Sequence, residues 1–238
     1  MGSIAVDGFW QTIAEPYGKT GARRNKLLGE MAVAALVLLA AMLGGDGARA
    51  DTEPRTPVVV VFGDSLGAGY NLEPDDGFAP QLERALRAAG LDVRVQNASV
   101  SGDTTADGLA RLDWAVTGRP DLVILELGAN DALRGLDPNL TRRNLAAILA
   151  RLKARGIPVL LAGMRAPPNM GREFEAAFNA LYPDLAARYG VPLYPFFLDG
   201  VAARPGYVQH DGKHPTARGV AEIVARIAPM VIDLLKTG

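Results

Sequence analysis

From residue 57 onward the apolar positions alternate between short unbroken runs and longer stretches in which they recur every three or four places. Val58 to Val61 is a run of β-branched residues without a polar break, the pattern of a strand buried on both faces of a parallel sheet. Phe78, Leu82, Leu86 and Ala89 then recur at helical spacing, and Gly90 supplies a C-terminal cap. Leu91 to Gln96 alternates apolar and polar residues and predicts an edge or half-covered strand, and Asp121 to Leu127 predicts a third strand. Leu145, Ile148, Leu149 and Leu152 mark a helix stopped at Gly156, followed by a fourth strand over Ile157 to Ala162. Phe174, Phe178, Leu181 and Leu185 mark another helix, Val191 to Tyr194 a short fifth strand, and Val220, Ile223, Val224, Ile227, Val231 and Leu234 a final amphipathic helix. Strands alternating with helices imply right-handed crossovers, so the expected fold is a three-layer α/β/α sandwich around a parallel sheet of about five strands. The connections are short and leave no inserted lid domain.

The first fifty residues break this pattern. Arg23, Arg24 and Lys26 precede an apolar run from Met31 to Leu43, and Ala48-Arg49-Ala50 follows, which is the layout of a cleavable signal peptide. The run is too short to span a bilayer, which takes about 20 residues. The arginine pair lacks the apolar residues expected just after it in a twin-arginine signal, so the general export route is expected. Residues 1–22 match neither signal nor fold, as an assigned start upstream of the true one would leave them. The expected organisation is therefore residues 1–50 as extension and signal peptide, and residues 51–238 as one domain released to the periplasm or medium after cleavage near Ala50.

Composition narrows the chemistry. With 25 basic and 26 acidic side chains spread along the chain, no basic cluster offers a nucleic acid its phosphate contacts. The absence of cysteine rules out a disulfide framework and a thiolate metal site. No His and carboxylate cluster has metal-ligand spacing, and no cofactor motif is present.

The candidate chemistry lies at the strand exits. Gly63-Asp64-Ser65-Leu66-Gly67 follows the first strand, and glycines on either side permit a sharp turn that lifts Ser65 to the carboxyl edge of the sheet, where a nucleophile belongs. Both histidines of the chain lie in Gln209-His210-Asp211-Gly212-Lys213-His214-Pro215. Pro215 keeps His214 out of helical geometry and Gly212 permits a tight turn, so Asp211 can accept the Nδ1 proton of His214 while Nε2 faces Ser65. No acid sits at the same offset from His210, which is read as a loop or rim residue. An acyl transferase or hydrolase also needs donors for a developing oxyanion. The Ser65 N–H, the Gly102 N–H and the Asn130 carboxamide are candidates. Taken singly, Gly102-Asp103 reads equally as a turn and helix cap, with Asp103 or Thr104 capping, and Asn130-Asp131 as a loop start. Their joint appearance on successive strand exits favours the catalytic reading.

These blocks resemble those of the SGNH, or GDSL, hydrolase family, a flavodoxin-like fold. Gly63-Asp64-Ser65-Leu66 matches the first block, Gly102 the second, Gly128-Ala129-Asn130-Asp131 the third and Asp211-Gly212-Lys213-His214-Pro215 the last. The likeness is greatest to the bacterial periplasmic thioesterase, protease and lysophospholipase group, and it extends to Asn97 through Thr104 and Pro192 through Phe197. Ala129 stands where that group commonly has a second glycine, which bears on loop mobility. The resemblance implies catalytic Ser65, Asp211 and His214, an oxyanion hole of Ser65, Gly102 and Asn130, and a mobile loop over Ala132 to Asp137. It also implies a monomeric enzyme for small acyl esters or thioesters, with no metal or other cofactor, no nucleic-acid partner and no membrane span in the mature chain. Gly63-x-Ser65-x-Gly67 also fits the nucleophile elbow of α/β-hydrolases, but there the serine follows several strands and the acid and histidine usually sit on separate loops. The rival functions are a carbohydrate or peptidoglycan O-acetylesterase and a non-catalytic lipid or glycan binder on the same fold.

Overall fold

The computed structural model describes residues 55–237, so the export pattern of residues 1–50 lies outside the described residues. Five parallel strands form one sheet: β1 (Val58–Gly63), β2 (Arg94–Asn97), β3 (Leu122–Glu126), β4 (Val159–Ala162) and β5 (Leu193–Tyr194), in the order β2-β1-β3-β4-β5. The helices are α1 (Ser65–Ala68), α2 (Phe78–Ala88), α3 (Thr105–Ala115), α4 (Ala129–Leu133), α5 (Pro138–Ala154), α6 (Arg172–Tyr189) and α7 (Ala217–Thr237). α2 packs with α7, and α3 packs with α5 and α5 with α6, so helices cover both faces. This is the expected three-layer α/β/α sandwich, and the central strands β1, β3 and β4 are almost wholly buried.

The outer strands are shorter than their sequence patterns. β2 begins at Arg94, opposite Val58, because it pairs only with β1 and there is no β1 partner for Leu91. The Leu91 N–H bonds the Leu86 carbonyl instead and completes the end of α2. Ile157 likewise closes α5 through its bond to the Leu152 carbonyl. β5 pairs with Leu161 and Ala162 alone, and it lies between Pro192 and Pro195, neither of which has an N–H to extend the ladder.

Strand order reverses direction around β1: its successor in the chain lies on one side and β3 on the other. A crevice therefore opens past their carboxyl ends, where open α/β sheets bind ligands. The last residues of the two strands, Gly63 and Glu126, are register partners in very close contact. A Cβ on Gly63 would stand 2.5 Å from Glu126 Oε2 and 2.6 Å from the Glu126 carbonyl oxygen. Glu126 is fully buried, and its Oε2 accepts from the Asp64 N–H at 3.3 Å, at the base of the turn that leaves β1. Glu126 Oε1 has no partner among the described residues. Burial above all, and then the neighbouring Asp64, push the Glu126 carboxyl well above the usual range, which favours its neutral form.

This packing yields two predictions. Gly63→Ala should cost about 1–3 kcal/mol of stability, because the methyl meets β3 main chain as well as a side chain. Urea unfolding would measure it, and an unchanged midpoint would show that the strands spread without penalty. Glu126 favours its protonated form when folded but ionises when unfolded, so its contribution to stability falls as pH rises above the unfolded value, about 4.3. Glu126→Gln keeps the shape and removes that titration. Its stability relative to the parent should therefore grow as pH rises above about 4.3, and a pH-independent difference would contradict the raised Glu126 carboxyl.

Candidate active site

Ser65 is the first residue of α1, and the turn into it is capped by its neighbour: Asp64 Oδ1 accepts from the Leu66 N–H at 3.0 Å. Ser65 Oγ lies 2.8 Å from His214 Nε2, and His214 Nδ1 lies 2.5 Å from Asp211 Oδ2. The other Asp211 oxygen accepts from the main-chain N–H groups of Lys213 at 2.9 Å and His214 at 3.1 Å. The bond to His214, then these two amides, hold the Asp211 carboxyl far below the usual carboxylate range. It is therefore a permanent anion. Gly212, at φ 70°, supplies the left-handed residue that lets the acid turn back on the histidine. The Tyr70 and His214 ring centroids are 4.5 Å apart. His210 is exposed in the same turn and lines a cleft of about 810 Å³ together with Tyr70, Asn71, Gln209 and Asp211, consistent with a rim residue.

The three expected donors are contiguous through Asn130. Its Nδ2 donates to the Asp103 carbonyl at 2.9 Å and to Asp64 Oδ2 at 3.3 Å, so it touches the chain neighbours of both Gly102 and Ser65. Neither the Ser65 nor the Gly102 N–H has an acceptor among the described residues. Gly102 sits at φ 90°, a conformation that a side chain would resist, and its carbonyl accepts from Arg134 Nη2 at 2.8 Å. Ala129 begins α4 without positive φ, so replacing a glycine there introduces no backbone strain. Ala132 and Leu133 of the expected mobile loop are helical residues of α4.

Several supporting residues escaped the sequence reading. Arg111 is buried in α3, paired with the Asp103 carboxylate, and its other nitrogens donate to the Gly63 and Ala98 carbonyls at 2.9 Å and 2.5 Å. Its guanidinium thus fastens the exits of β1 and β2 together, lying 4.2 Å over the Phe62 ring. The available signal was a charge on the buried stripe of α3, which comprises Thr105, Gly108, Arg111 and Leu112. Thr104 caps that helix in a capping box with Asp107, which leaves Asp103 free for Arg111. Asp131 is an anchor: its oxygens accept from the Thr105 N–H at 2.8 Å and the Thr105 and Thr141 hydroxyls at 2.5 Å and 3.1 Å. Burial, with Asp131 and Asp103 nearby, raises the Asp64 carboxyl to about 7, although the Leu66 and Asn130 donors oppose the shift. Among the described residues no group of three or more His, Cys, Asp or Glu could hold a metal ion.

Residues 61–221 match the model of the GDSL-like Lipase/Acylhydrolase family. The chain is 42% identical over 172 residues to an arylesterase of Vibrio mimicus, covering 71% of this chain and 86% of that protein. It is 41% identical over 158 residues to thioesterase 1/protease 1/lysophospholipase L1 of Escherichia coli, covering 66% of this chain and 74% of that protein. Among solved structures, the SGNH-hydrolase family esterase AlinE4 aligns with a TM-score of 0.64 at 48% identity, over 75% of this chain and 96% of that one. A parallel sheet that delivers Ser65 to a histidine, and a match that spans the whole stretch from β1 into α7, have one common explanation: the chain belongs to the GDSL, or SGNH, hydrolase family and is an ester-hydrolysing serine hydrolase.

Proposed function

We propose that this protein is an exported, monomeric serine esterase that cleaves carboxylic esters and acyl thioesters through an acyl-enzyme on Ser65. The observation that carries the reading is the unbroken line Asp211–His214–Ser65, at 2.5 Å and 2.8 Å, at the switch point of the sheet. His214 Nε2 takes the hydroxyl proton as Ser65 Oγ attacks the carbonyl carbon, and returns it to the leaving alcohol or thiol. Water then attacks the acyl carbon by the same route in reverse and frees Ser65. Asp211, ionised throughout, holds Nδ1–H and stabilises the imidazolium.

The tetrahedral oxyanion is received by the N–H groups of Ser65 and Gly102 and by Asn130 Nδ2. The carboxamide already serves Asp103 and Asp64, so capture of the oxyanion exchanges the longer bond, to Asp64 at 3.3 Å, for one to substrate. Exposed apolar side chains stand a few residues from each donor along the chain: Tyr70 after Ser65, Val100 before Gly102 and Leu133 after Asn130, at 49%, 43% and 50% exposure. They favour an acyl or aryl substrate over the O-acetyl sugar of the rival reading. Among the described residues no helix is long and apolar enough to cross a membrane. The case for export lies in residues 23–50 of the sequence.

An organophosphonate should label Ser65 alone, since the bond to His214 activates that hydroxyl; peptide mapping locates the adduct, and labelling that survives in Ser65→Ala sinks the assignment. Asn130→Ala should lower kcat by about a hundred- to a thousandfold with little change in KM. Steady-state kinetics on one aryl ester, with a melting curve alongside, checks this. A folded variant within about tenfold of the parent kcat would make Asn130 a loop residue only. On a panel of aryl esters, acyl thioesters and acetylated xylan or peptidoglycan, turnover should peak on medium or long acyl chains; a maximum on acetylated sugar would overturn the substrate assignment.

A further inference from the structure

Gln209 lies at the base of the turn that carries Asp211 and His214, and every polar group it has is engaged. Its main-chain N–H donates to the His214 carbonyl at 2.7 Å, and its carbonyl accepts from the Gly212 N–H at 3.0 Å. In the side chain, Nε2 donates to the Tyr70 carbonyl at 3.0 Å and the Pro215 carbonyl at 2.9 Å, while Oε1 accepts from Asn71 Nδ2 at 3.1 Å. Tyr70 in turn donates its N–H to the Ser65 carbonyl at 3.1 Å. These bonds close a ring, from Ser65 to Tyr70 to Gln209 to His214 and back to Ser65 through the 2.8 Å contact of imidazole and hydroxyl. Only that last link takes part in the reaction.

The turn has few other restraints. Asp211, Gly212 and Lys213 are exposed, and the packing contacts are those of buried Pro215, its bridge to Val208, and the Tyr70 ring against His214. A surface turn held so lightly is free to swing unless something ties it to the element that carries its partner. Proton transfer needs heavy atoms within about 2.6–3.2 Å, and a misplacement of about 1 Å can cost a hundredfold in rate. Asn71 adds a second tether, and it does so from a left-handed backbone at φ 57°, which asparagine tolerates and most residues do not.

We propose that Gln209 is a positioning residue that sets the distance and bearing of His214 relative to Ser65, by clamping the histidine turn to the segment leaving α1. The proposal rests on the reading of Ser65 and His214 as nucleophile and base.

The test measures kcat, KM, the rate of phosphonate labelling and the melting temperature for Gln209→Ala, Gln209→Glu and Asn71→Gly, with Gln209→Ala also made in the His214→Ala background. Gln209→Ala should lower kcat and the labelling rate together by about ten- to a hundredfold, with KM within about threefold. Gln209→Glu keeps the acceptor for Asn71 but sets an oxygen against the Tyr70 and Pro215 carbonyls, so it should lose at least as much. Asn71→Gly removes one tether at a backbone angle glycine accepts, so its loss should be smaller, about two- to tenfold. In the His214→Ala background, adding Gln209→Ala should change the residual rate by less than about twofold, because no imidazole is left to misplace. A drop of the same size in both backgrounds, or a folded Gln209→Ala with the parent kcat, overturns the proposal. Should Gln209→Ala not fold, an Asn71→Gly protein with the parent kcat overturns it equally. A fully active His214→Ala would remove the proposal together with the triad reading, whereas an inactive His214→Ala beside a fully active Gln209→Ala would remove the proposal alone.

Discussion

A serine hydroxyl and an imidazole that stand 149 positions apart in the chain meet at 2.8 Å, and the rest of the molecule is organised to make that contact reproducible. Neither residue belongs to the sheet. Ser65 opens a four-residue helix, and His214 sits in a partly exposed turn just before the last helix. A rigid contact between two such pieces requires that each be fixed against something that cannot move. For Ser65 that support is β1 packed between β2 and β3. For His214 it is the antiparallel bridge from Val208 to Pro215 and the Gln209 bonds to the Tyr70 and Pro215 carbonyls.

The ground beneath the serine is polar, which is unusual for the middle of a sheet. Glu126, Asp64, Asp131 and Asp103 are buried together under the strand exits, and the cluster is tolerable because each acid is handled differently. Glu126 is pushed toward its neutral form, Asp103 is paired with Arg111, Asp131 is fed by hydroxyl and amide donors, and Asp64 is raised to about 7. A buried ion pair such as Arg111 with Asp103 contributes little net stability, yet removing one partner costs about 3–5 kcal/mol. The pair therefore sits where Arg111 joins the exits of β1 and β2 through the Gly63 and Ala98 carbonyls.

The order of elements was legible from residue 57 onward, because strand and helix periods differ and this chain alternates them cleanly. Val58 to Val61 and Asp121 to Leu127 announced the central strands, and Gly90 and Gly156 fell just beyond the ends of helices. The misjudged boundaries all lie where pairing, and not composition, terminates an element: Leu91 and Ile157 finish helices, and prolines bracket β5. Of the candidate site, Ser65, Asp211 and His214 were legible because their chemistry and local spacing admit few other uses.

The sequence by itself determined the alternating α/β architecture, the serine placed past the first strand, and the acid three residues before the histidine, since all of these depend on local periodicity and turn chemistry. Only the tertiary structure decided which polar groups share a volume. Arg111 stands on a helix, Glu126 at the end of a strand and Gln209 in a loop. What distinguishes them is burial and partners 48, 62 and 139 positions away, at Gly63, Asp64 and Tyr70. Hydrogen bonds over such separations leave no periodic trace along the chain, because their geometry is set by the packing of strands and helices that the intervening residues only connect.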